Sequence, residues 1–210
     1  MKKNKFEAII FDFGNVIIDI DFEMVFKGFA AGSGKSIDVV KKRMEESQIF
    51  RRYESGFFEN PEFREVIRQT IGFPFNDGEI DRIWNSMLLS IPPNRIELIR
   101  YLNTRYPVYL LSNTNLLHIS WCNNYLKESF QINSVNDLFK EAFLSYEIEM
   151  WKPDEGIYTH VLDQIKTSAK DVIFFDDNLA NIEAAKRVGI QSVHITPNFG
   201  ILDYFKDQTI

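Results

Sequence analysis

The segment FEAIIFDFGN (residues 6–15) begins as an apolar run, reaches a carboxylate and then turns. The run Phe6–Phe11 is typical of a strand buried on both faces, and the turn-prone Phe13-Gly14-Asn15 predicts that the strand ends at Asp12. Burying an unpaired carboxylate costs several kcal/mol, a large part of the stability of a folded domain. We therefore expect Asp12 to have a partner such as a metal ion or another cation.

A second segment, VIFFDDN (residues 172–178), repeats this design near the other end of the chain. The apolar run Val172–Phe175 is followed directly by Asp176-Asp177. These two acids together with Asp12 would form a concentrated negative site, and a divalent cation is the simplest partner for it.

Apolar strands alternate with helical segments from Pro107 onward. Because the apolar positions of each strand are continuous rather than alternating, they predict a parallel sheet that is covered on both faces. The fold class is therefore α/β, with a doubly wound, Rossmann-like core. The predicted strands after the first are Val108–Leu111, Ala142–Tyr146, Val172–Phe175 and Ile190–Ile195.

The segment between the first strand and residue 91 has no strand pattern, but it has several helix starts. Apolar spacing predicts four helices, and a capping residue precedes each. They run from the cap Asp21 to Ala31, from Ile37 after the cap Ser36 to about Ser47, from Pro61 after the cap Asn60 to Ile71, and from Gly78 after the cap Asp77 to Leu88. We predict a core of residues 1–17 and 91–210 and an inserted helical domain of residues 18–90. An insert at the carboxyl edge of a parallel sheet would lie over the ligand site as a lid.

The overall composition excludes several classes of function. A formal net charge of -6, a pI near 5.2 and the lack of a Lys/Arg cluster argue against a general nucleic-acid binder. The basic start MKKNK precedes an apolar stretch that is too short for a signal peptide or a membrane span. We expect a cytoplasmic protein without a membrane partner, as a monomer or weak dimer.

The single cysteine and the three histidines carry no pattern that indicates chemistry. Cys122 stands alone, which excludes an intrachain disulfide and a zinc site made of four thiolates. His118, His160 and His194 have no acid or thiol partner at metal-ligand spacing. We expect these four side chains to be structural.

Four polar elements follow predicted strands or precede a helix, and their chemistry is complementary. They are Asp12, Ser112-Asn113, Lys152 and Asp176-Asp177. Carboxylates bind a hard cation such as Mg²⁺, whereas a hydroxyl, a backbone N–H and an ammonium group bind phosphate oxygens. Lys152 precedes Pro153 at a predicted helix start, where an anion would be favoured. This set of groups predicts phosphoryl transfer.

The segments IIFDFGNVIIDID, LLSNTN, WKPDEGIY and VIFFDDNLANIEAAKRVGI occur in this order along the chain. They resemble the four sequence motifs of the haloacid dehalogenase superfamily of phosphohydrolases. Among its subfamilies they look closest to the bacterial α-D-glucose-1-phosphate phosphatases, and the helical insert is similar to the C1 cap of that superfamily. The resemblance implies a Mg²⁺-dependent phosphatase of a small phosphorylated metabolite, most simply a sugar phosphate such as a hexose 1-phosphate.

The resemblance also implies a role for each matched residue. Asp12 would attack phosphorus and form an aspartyl phosphate, which water hydrolyses. Ser112, the backbone of Asn113 and Lys152 would bind the phosphoryl group, and Lys152 would also pair with Asp12. The ligands implied for Mg²⁺ are Asp12, the backbone carbonyl of Gly14, Asp177, and Asp176 either directly or through water.

The chain departs from the superfamily pattern at Gly14. The phosphatases usually carry a second Asp there, two residues after the nucleophile, as a general acid and base. Loss of such a group typically lowers a rate by about 10² to 10⁴, so either another group acts or the leaving group needs less help. We favour the second explanation, because a sugar 1-phosphate leaves as a relatively acidic anomeric hydroxyl. Asp19 and Asp21 are the possible replacement acids.

Substrate selection is expected in the insert. The polar segment Arg51-Arg52-Tyr53-Glu54-Ser55-Gly56 is predicted as a loop between helices that dips toward the site. Its arginines would hold a second anion, and Glu54 would hold a sugar hydroxyl.

Several alternatives remain open at this point. A receiver domain of the response-regulator type also uses strand-end carboxylates, Mg²⁺ and a lysine, but its acidic pair precedes the phosphorylated Asp. A catalytically silent or regulatory phosphate-binding protein fits the loss of an acid at Gly14. A phosphomutase or a dehalogenase would share the nucleophile Asp12, although displacement of halide has no use for a metal-binding carboxylate pair.

Overall fold

The computed structural model describes residues 6–206, in which parallel strands form one twisted sheet with helices on both faces. The strands are β1 (Ala8–Phe11), β2 (Val108–Ser112), β3 (Glu141–Leu144), β4 (Val172–Asp176) and β5 (Gln191–His194). Their order in the sheet is β3-β2-β1-β4-β5. The predicted doubly wound α/β class is confirmed. The basic start at residues 1–5 and the end of the predicted core at residue 210 lie outside the described residues.

The central strands are buried at every position, as their continuous apolar sequences predict. Strands β1, β2 and β4 have no exposed residue, whereas the edge strand β5 is half-buried. The third strand is shorter than predicted. It ends at Leu144, because Ser145 and Tyr146 begin a short helix.

Most predicted helices are present, with shifted ends. The observed helices are α1 (Glu23–Ser33), α2 (Ile37–Glu46), α3 (Ile49–Glu54), α4 (Asn60–Ile71), α5 (Asp77–Asn85), α6 (Pro93–Asn103), α7 (Leu116–Phe130), α8 (Ser145–Ile148), α9 (Glu155–Ile165), α10 (Leu179–Arg187) and α11 (Ile201–Phe205). Short 3₁₀ helices span Val135–Leu138 and Ala169–Asp171.

Capping residues account for several helix ends. Ser36 caps α2 by accepting a hydrogen bond from the backbone of Val39, as predicted. Gly72 ends α4 with φ +69°, a conformation that glycine adopts without strain. The cap of α5 is Asn76 rather than the predicted Asp77.

The predicted loop over Arg51–Gly56 is wrong for most of its length. Residues Ile49–Glu54 form α3, which buries Ile49 and Tyr53 one helical turn apart. A helix of six residues is too short to show apolar periodicity over more than one turn, so its polar sequence looked like a loop.

Helices α1–α5, which we call the inserted helices (residues 23–85), lie between β1 and β2 in the chain and pack on one another. The segments that connect the inserted helices to the core lie next to each other, because Ile20 before α1 and Leu88 after α5 form an antiparallel bridge. The predicted domain limits at residues 18 and 90 stay a prediction. Within residues 6–206, no helix is long and apolar enough to cross a lipid bilayer.

The sheet separates two apolar cores. On one face, Ile9 and Phe11 of β1 belong to a core that continues into the inserted helices, α6, α7 and α11. On the other face, Ala8 and Ile10 belong to a core with residues of α9 and α10. The inserted helices are therefore joined to the sheet by continuous apolar packing.

A buried polar junction also joins α5 to α7. The indole Nε1 of Trp84 donates to Asn115 Oδ1 at 3.3 Å, and the rings of Trp84 and His118 are stacked with centroids 5.4 Å apart. The amide nitrogen of Asn115 lies 3.0 Å from His118 Nδ1, and His118 Nε2 lies 3.3 Å from the carbonyl of Trp84. Because an amide N–H₂ can only donate, Nδ1 is the acceptor and Nε2 carries the proton. This arrangement needs a neutral imidazole.

The junction predicts a loss of stability in acid. Burial lowers the pKa of His118 from 6.5 to about 4, so the unfolded chain takes up this proton first as the pH falls. Stability is therefore present above pH 6.5 and lost toward pH 4, by up to about 3 kcal/mol. The variant His118→Gln keeps a hydrogen-bond acceptor and a donor but has no group that titrates in this range. Denaturant unfolding should therefore show a smaller loss of unfolding free energy between pH 6.5 and pH 4 for this variant than for wild type. Equal losses in the two proteins would contradict the prediction.

Candidate active site

The carboxyl ends of three adjacent strands bring the predicted site residues together. Strand β1 lies between β2 and β4, with Phe11 paired to Leu110 on one side and to Phe175 on the other. Asp12 follows β1, and its backbone N–H donates to the carbonyl of Phe175 at 2.8 Å. The neighbouring strands end at Ser112 and Asp176. The site thus lies where the connections of a doubly wound sheet diverge, the usual ligand position of such folds.

The ammonium group of Lys152 lies at the centre of these strand ends. It donates to Asp12 Oδ1 at 2.7 Å, to Asp176 Oδ2 at 2.7 Å and to the carbonyl of Leu111 at 2.9 Å. All three of its protons are therefore used. Lys152 is 1 % exposed, so these contacts replace its hydration.

Burial and charge act in opposite directions on this cluster. Burial lowers the pKa of Lys152, but the carboxylates of Asp12 and Asp176 outweigh it and raise that pKa above its usual value. Burial raises the pKa of Asp12 to about 7, although the ammonium group of Lys152 opposes this shift. Lys152 is thus a permanent cation that favours the ionised form of Asp12.

The two acids after β4 have different surroundings. Asp176 is fully buried and accepts hydrogen bonds from Lys152, from the backbone of Asn178 at 2.8 Å and from the amide of Asn181 at 3.0 Å. Asp177 is half-buried and accepts one from the Asn15 amide at 2.9 Å. Burial raises the pKa of Asp177, and Asn15 opposes the shift. Because Asp176 is already saturated with donors, Asp177 is the freer ligand.

Asn15 and Asn181 were missed as site residues from the sequence. Asn15 has φ 53°, and its side chain joins Asp177 to the backbone of Ile20. Asn181 lies one helical turn after the cap residue Asn178, on the side of α10 that faces the strand ends. The signal for Asn181 was its helical spacing from the cap, whereas Asn15 looked like an ordinary turn residue.

The acidic cluster fits a single Mg²⁺ ion. Asp12, Asp176 and Asp177 each offer a carboxylate oxygen, and these atoms lie within 4.8 Å of one another. Opposite ligands of one Mg²⁺ are about 4.2 Å apart, so small side-chain rotations suffice. Three carboxylates against one ammonium group leave an excess of two negative charges, which one divalent ion neutralises. The predicted carbonyl ligand, Gly14, lines the same cavity.

Ser112 and Asn113 also reach the cavity, but the side chain of Asn113 has a different task from phosphate binding. Its amide donates to the carbonyl of Lys152 at 2.9 Å and accepts from the backbone N–H of Lys152 at 2.9 Å. It therefore fixes the backbone that carries the buried ammonium group. The Ser112 hydroxyl makes only a long contact of 3.4 Å to the carbonyl of Asn113, so it is available to turn toward a ligand.

The helix expected directly after Lys152 begins later. Its N-cap is Asp154, and α9 starts at Glu155 rather than at Pro153. The side chain of Lys152 is directed at the carboxylates and not at the start of α9. The argument from a helix N-terminus at Lys152 was therefore wrong, although Lys152 does lie in the site.

A cavity of about 540 Å³ opens above the cluster, within the size range of small-molecule sites. Its polar lining residues, which we call the polar wall, include Asp12, Ser112, Asn113, Lys152 and Asp177. Glu54 also lines the cavity, and its apolar lining residues are Ile20, Phe22, Phe50, Trp151 and Pro153. A second cavity of about 630 Å³, lined in part by Asp19, Arg95, Asp177 and His194, lies beside it and lacks the predicted nucleophile.

Only one of the four residues predicted to select substrate lines this cavity, and that residue is Glu54. Arg51 pairs with Asp154 at 3.1 Å, and its guanidinium lies over the ring of Trp151. Arg52 and Tyr53 point elsewhere, because Arg52 lies over the rings of Phe57 and Phe58 and Tyr53 is stacked on Phe63. The prediction that the arginines hold an anion in the site therefore disagrees with their observed partners.

The two possible replacement acids do not line this cavity. Asp19 pairs with Arg95 at 2.8 Å and belongs to the second cavity. Asp21 accepts a hydrogen bond from the backbone of Glu23 at 2.9 Å and so caps the start of α1. Neither is placed to protonate a leaving group above Asp12.

The lone cysteine and the remaining histidines make structural contacts. Cys122 is buried, and burial raises the pKa of its thiol to about 12, which suppresses the reactive thiolate. His160 packs edge-on against the ring of Phe143. His194 Nε2 lies 2.9 Å from the carbonyl of Asp177.

A comparison with protein families gives a match to haloacid dehalogenase-like hydrolases over residues 6–189. The chain belongs to the haloacid dehalogenase-like hydrolases. The match spans β1 to α10 and therefore includes every strand end that forms the site.

Two curated relatives of this hydrolase are named as phosphatases. The chain is 28 % identical over 185 residues to a D-ribitol-5-phosphate phosphatase of Bacteroides thetaiotaomicron, covering 88 % of this chain and 89 % of the relative. It is 28 % identical over 198 residues to a sesquiterpene phosphatase of Aspergillus oryzae, covering 91 % and 90 %.

Solved structures share the fold over nearly the whole chain. A haloacid dehalogenase family enzyme from Bacteroides thetaiotaomicron, crystallised with magnesium and inorganic phosphate, is 30 % identical and superposes with a TM-score of 0.85. The match covers 95 % of this chain and 99 % of that enzyme. A family member from Porphyromonas gingivalis, 22 % identical with a TM-score of 0.87, covers 97 % and 98 % and supports the fold alone.

These findings confirm the predicted superfamily, the hydrolase class with phosphatase relatives, and Mg²⁺ as the cofactor. The resemblance to glucose-1-phosphate phosphatases is a finer prediction. The relatives described above carry the names of other substrates.

Magnesium should stabilise the folded hydrolase through this cluster. A ligand of the folded state at about 100 times its dissociation constant adds about 2.7 kcal/mol, which raises the unfolding temperature of a chain of this size by roughly 5–10 °C. In Asp177→Asn, which loses the freer charged ligand, calorimetry should show a much smaller shift with added Mg²⁺. Asp163→Asn, an exposed acid of α9, serves as the matched control. An undiminished shift in Asp177→Asn would contradict the assignment of the cluster.

Proposed function

We propose that this hydrolase is a Mg²⁺-dependent phosphatase that acts on a small phosphorylated metabolite, with a sugar or sugar-alcohol phosphate as the substrate class. One observation carries the proposal: the Asp12 carboxylate lines a small-molecule cavity while Lys152 holds it at 2.7 Å. Among the described residues, Lys152 is the only hydrogen-bond donor to the Asp12 side chain, so the second oxygen is available for attack.

The proposed chemistry begins with attack of an Asp12 oxygen on phosphorus, which forms an aspartyl phosphate and releases an alcohol. Water then attacks the same phosphorus atom, releases inorganic phosphate and restores the carboxylate. Ser112 and the backbone of Asn113 bind the phosphoryl oxygens in both steps. Bound Mg²⁺ supplies charge neutralisation between an anionic nucleophile and a phosphate dianion. Asp12, the Gly14 carbonyl and Asp177 would hold it, with Asp176 acting directly or through water.

Lys152 contributes by position and charge. Its ammonium group favours the ionised form of Asp12 and fixes the carboxylate next to Asp176 before substrate binds. A preorganised charge costs no rearrangement at the moment of reaction, which is the main advantage of a buried site over water. Asn113 supports this role by holding both backbone groups of Lys152.

The substrate class follows from the cavity and from the relatives. The polar wall suits a phosphate, while Glu54 and the ring of Trp151 suit the hydroxyls and the apolar face of a polyol. The sequence resemblance favours a hexose 1-phosphate, and a relative is named for D-ribitol 5-phosphate. Both are monoesters of a small polyhydroxylated alcohol.

The other candidates account for less of the site. A silent phosphate-binding protein does not need an ionised Asp12 beside the phosphate position, because the carboxylate would repel the ligand. A dehalogenase has no use for the metal-binding acids Asp176 and Asp177. A phosphomutase shares the first step and differs only in which group accepts the phosphoryl group. A cytoplasmic location and a monomeric or weakly dimeric state stay predictions.

The test is release of inorganic phosphate from a panel of esters with Mg²⁺, including hexose 1-phosphates, pentitol 5-phosphates and a prenyl phosphate. We expect turnover of the polyol esters, lost on chelation of the metal. Asp12→Asn should lower kcat by at least about a thousandfold, because a nucleophile has no substitute. Asp163→Asn should behave as wild type. No turnover of any ester would favour the silent protein, and preference for the prenyl phosphate would overturn the substrate class.

A further inference from the structure

The position that usually carries the second acid of these phosphatases is closed by an apolar side chain. A Cβ atom added to Gly14 would lie 2.8 Å from Cδ1 of Ile20. Ile20 itself lines the active-site cavity. A side chain at residue 14 would therefore require the end of the Ile20 side chain to move. Because residue 14 is glycine, a proton donor must come from another part of the chain.

The cavity offers one carboxyl group outside the acidic cluster. Its lining acids are Asp12, Asp177 and Glu54, and the first two belong to the cluster that fits Mg²⁺. Glu54 is the last residue of α3 and is 8 % exposed, so it reaches the cavity from the inserted helices. It lines the same cavity as Asp12 but belongs to the inserted helices and not to the strand ends.

The Glu54 carboxyl has a single hydrogen bond and no ion pair among the described residues. Trp151 Nε1 donates to Oε2 at 3.2 Å, and Oε1 has no protein partner. Because Oε1 is not among the buried atoms without a partner, it keeps some accessible surface. One oxygen is thus held by Trp151, and the other is free to take or give a proton in a residue that lines the cavity.

The charged groups around Glu54 are engaged elsewhere. On α3, Arg51 pairs with Asp154 and Arg52 lies over aromatic rings. On the packed elements α2, α4 and α8, Arg43 contacts backbone carbonyls, Arg64 pairs with Asp81, Arg68 pairs with Asp77, and Glu147 accepts from Tyr146. Lys152 uses its protons on other acceptors.

Burial raises the pKa of Glu54 to about 7, against the weaker opposing effects of the Trp151 hydrogen bond and the Lys152 charge. A carboxyl group whose pKa is close to the working pH can both give and regain a proton, which suits general acid–base catalysis.

The backbone of Glu54 is fastened to the phosphate side of the cavity. The hydroxyl of Ser145 donates to the carbonyl of Glu54 at 2.5 Å and accepts from the backbone N–H of Thr114 at 2.9 Å. Thr114 directly follows the phosphate-binding Ser112-Asn113. Gly56 supports the contact, because a Cβ atom there would lie 2.5 Å from the carbonyl of Tyr146. Glu54 is therefore held in a set position relative to the phosphate.

We propose that Glu54 is the general acid and base of the reaction and takes the place of the carboxyl that Gly14 lacks. This inference rests on the proposed phosphatase function. In the first step an Asp12 oxygen bonds to phosphorus, the bond from phosphorus to the leaving oxygen breaks, and that oxygen takes the Glu54 proton. In the second step Glu54 takes a proton from the attacking water, the bond from Asp12 to phosphorus breaks, and phosphate and both carboxyl groups are regenerated.

Glu54 also changes the explanation of the missing acid. If a proton is supplied by Glu54, the leaving group does not need to be an acidic anomeric hydroxyl. Ordinary alcohols, such as the primary hydroxyl of a polyol 5-phosphate, then become competent leaving groups.

The test compares Glu54→Gln with wild type on two esters with Mg²⁺, using kcat/KM, which reports the first chemical step. One substrate is an alkyl or polyol phosphate, whose leaving oxygen needs a proton. The other is dinitrophenyl phosphate, whose leaving group departs as a stable anion. Glu54→Gln should lower kcat/KM for the alkyl ester by about 10² to 10⁴ and for the aryl ester by much less.

Control variants separate chemistry from structure. Glu45→Gln, an exposed glutamate of α2, should leave both values unchanged, and thermal unfolding checks that Glu54→Gln is folded. Glu54→Asp keeps an acid on a shorter side chain. Its ratio of kcat/KM for the alkyl ester to kcat/KM for the aryl ester should lie between those of wild type and Glu54→Gln. This variant replaces Glu54→Gln in the comparison if Glu54→Gln does not fold. An equal loss on both esters would overturn the role of Glu54. If the wild-type protein hydrolysed neither ester, the proposed phosphatase function itself would be overturned.

Discussion

The ammonium group of Lys152, buried between Asp12 and Asp176, is the interaction on which the site depends. Without it, two carboxylates would end adjacent strands with no counter-charge, and removal of one partner from a buried pair typically costs about 3–5 kcal/mol. With it, both carboxylates have a counter-charge and are held close together. The remaining excess of negative charge then becomes a binding site for a divalent cation. A structural requirement, the pairing of a buried charge, and a functional one, an ionised nucleophile, are met by the same side chain.

The rest of the architecture serves to place that group. The sheet order places β1 between β2 and β4, so Asp12 has the end of a neighbouring strand on each side. Lys152 has no strand or helix of its own, so the amide of Asn113 holds its backbone at the end of β2. The inserted helices contribute Phe50 and Glu54 to the cavity lining. One of their contacts with the strand ends runs through Ser145, which links the backbone of Glu54 to that of Thr114.

Much of this site could be predicted from the sequence, for a clear physical reason. A carboxylate directly after a buried apolar strand is costly to bury, so Asp12 and Asp176 could be recognised as site residues. Because the strands are parallel, their carboxyl ends lie at the same edge of the sheet, which predicts that the two residues are close together. The partners Asn15 and Asn181 could not be recognised, because asparagine after a strand or in a first helical turn is common. Glu54 was predicted only as a partner of a sugar hydroxyl, and Trp151 was not predicted as a site residue. Their role depends on how α3 packs against the core, and a helix of six residues leaves almost no pattern in the sequence.

The central claim is that Asp12, held by Lys152, forms a covalent bond to phosphorus. The stereochemistry at phosphorus tests this directly, because each in-line displacement inverts the configuration. Hydrolysis of a chiral phosphorothioate ester in isotopically labelled water should proceed with overall retention, since two displacements occur, first by Asp12 and then by water. Overall inversion would mean that water attacks the substrate directly, and it would contradict the account.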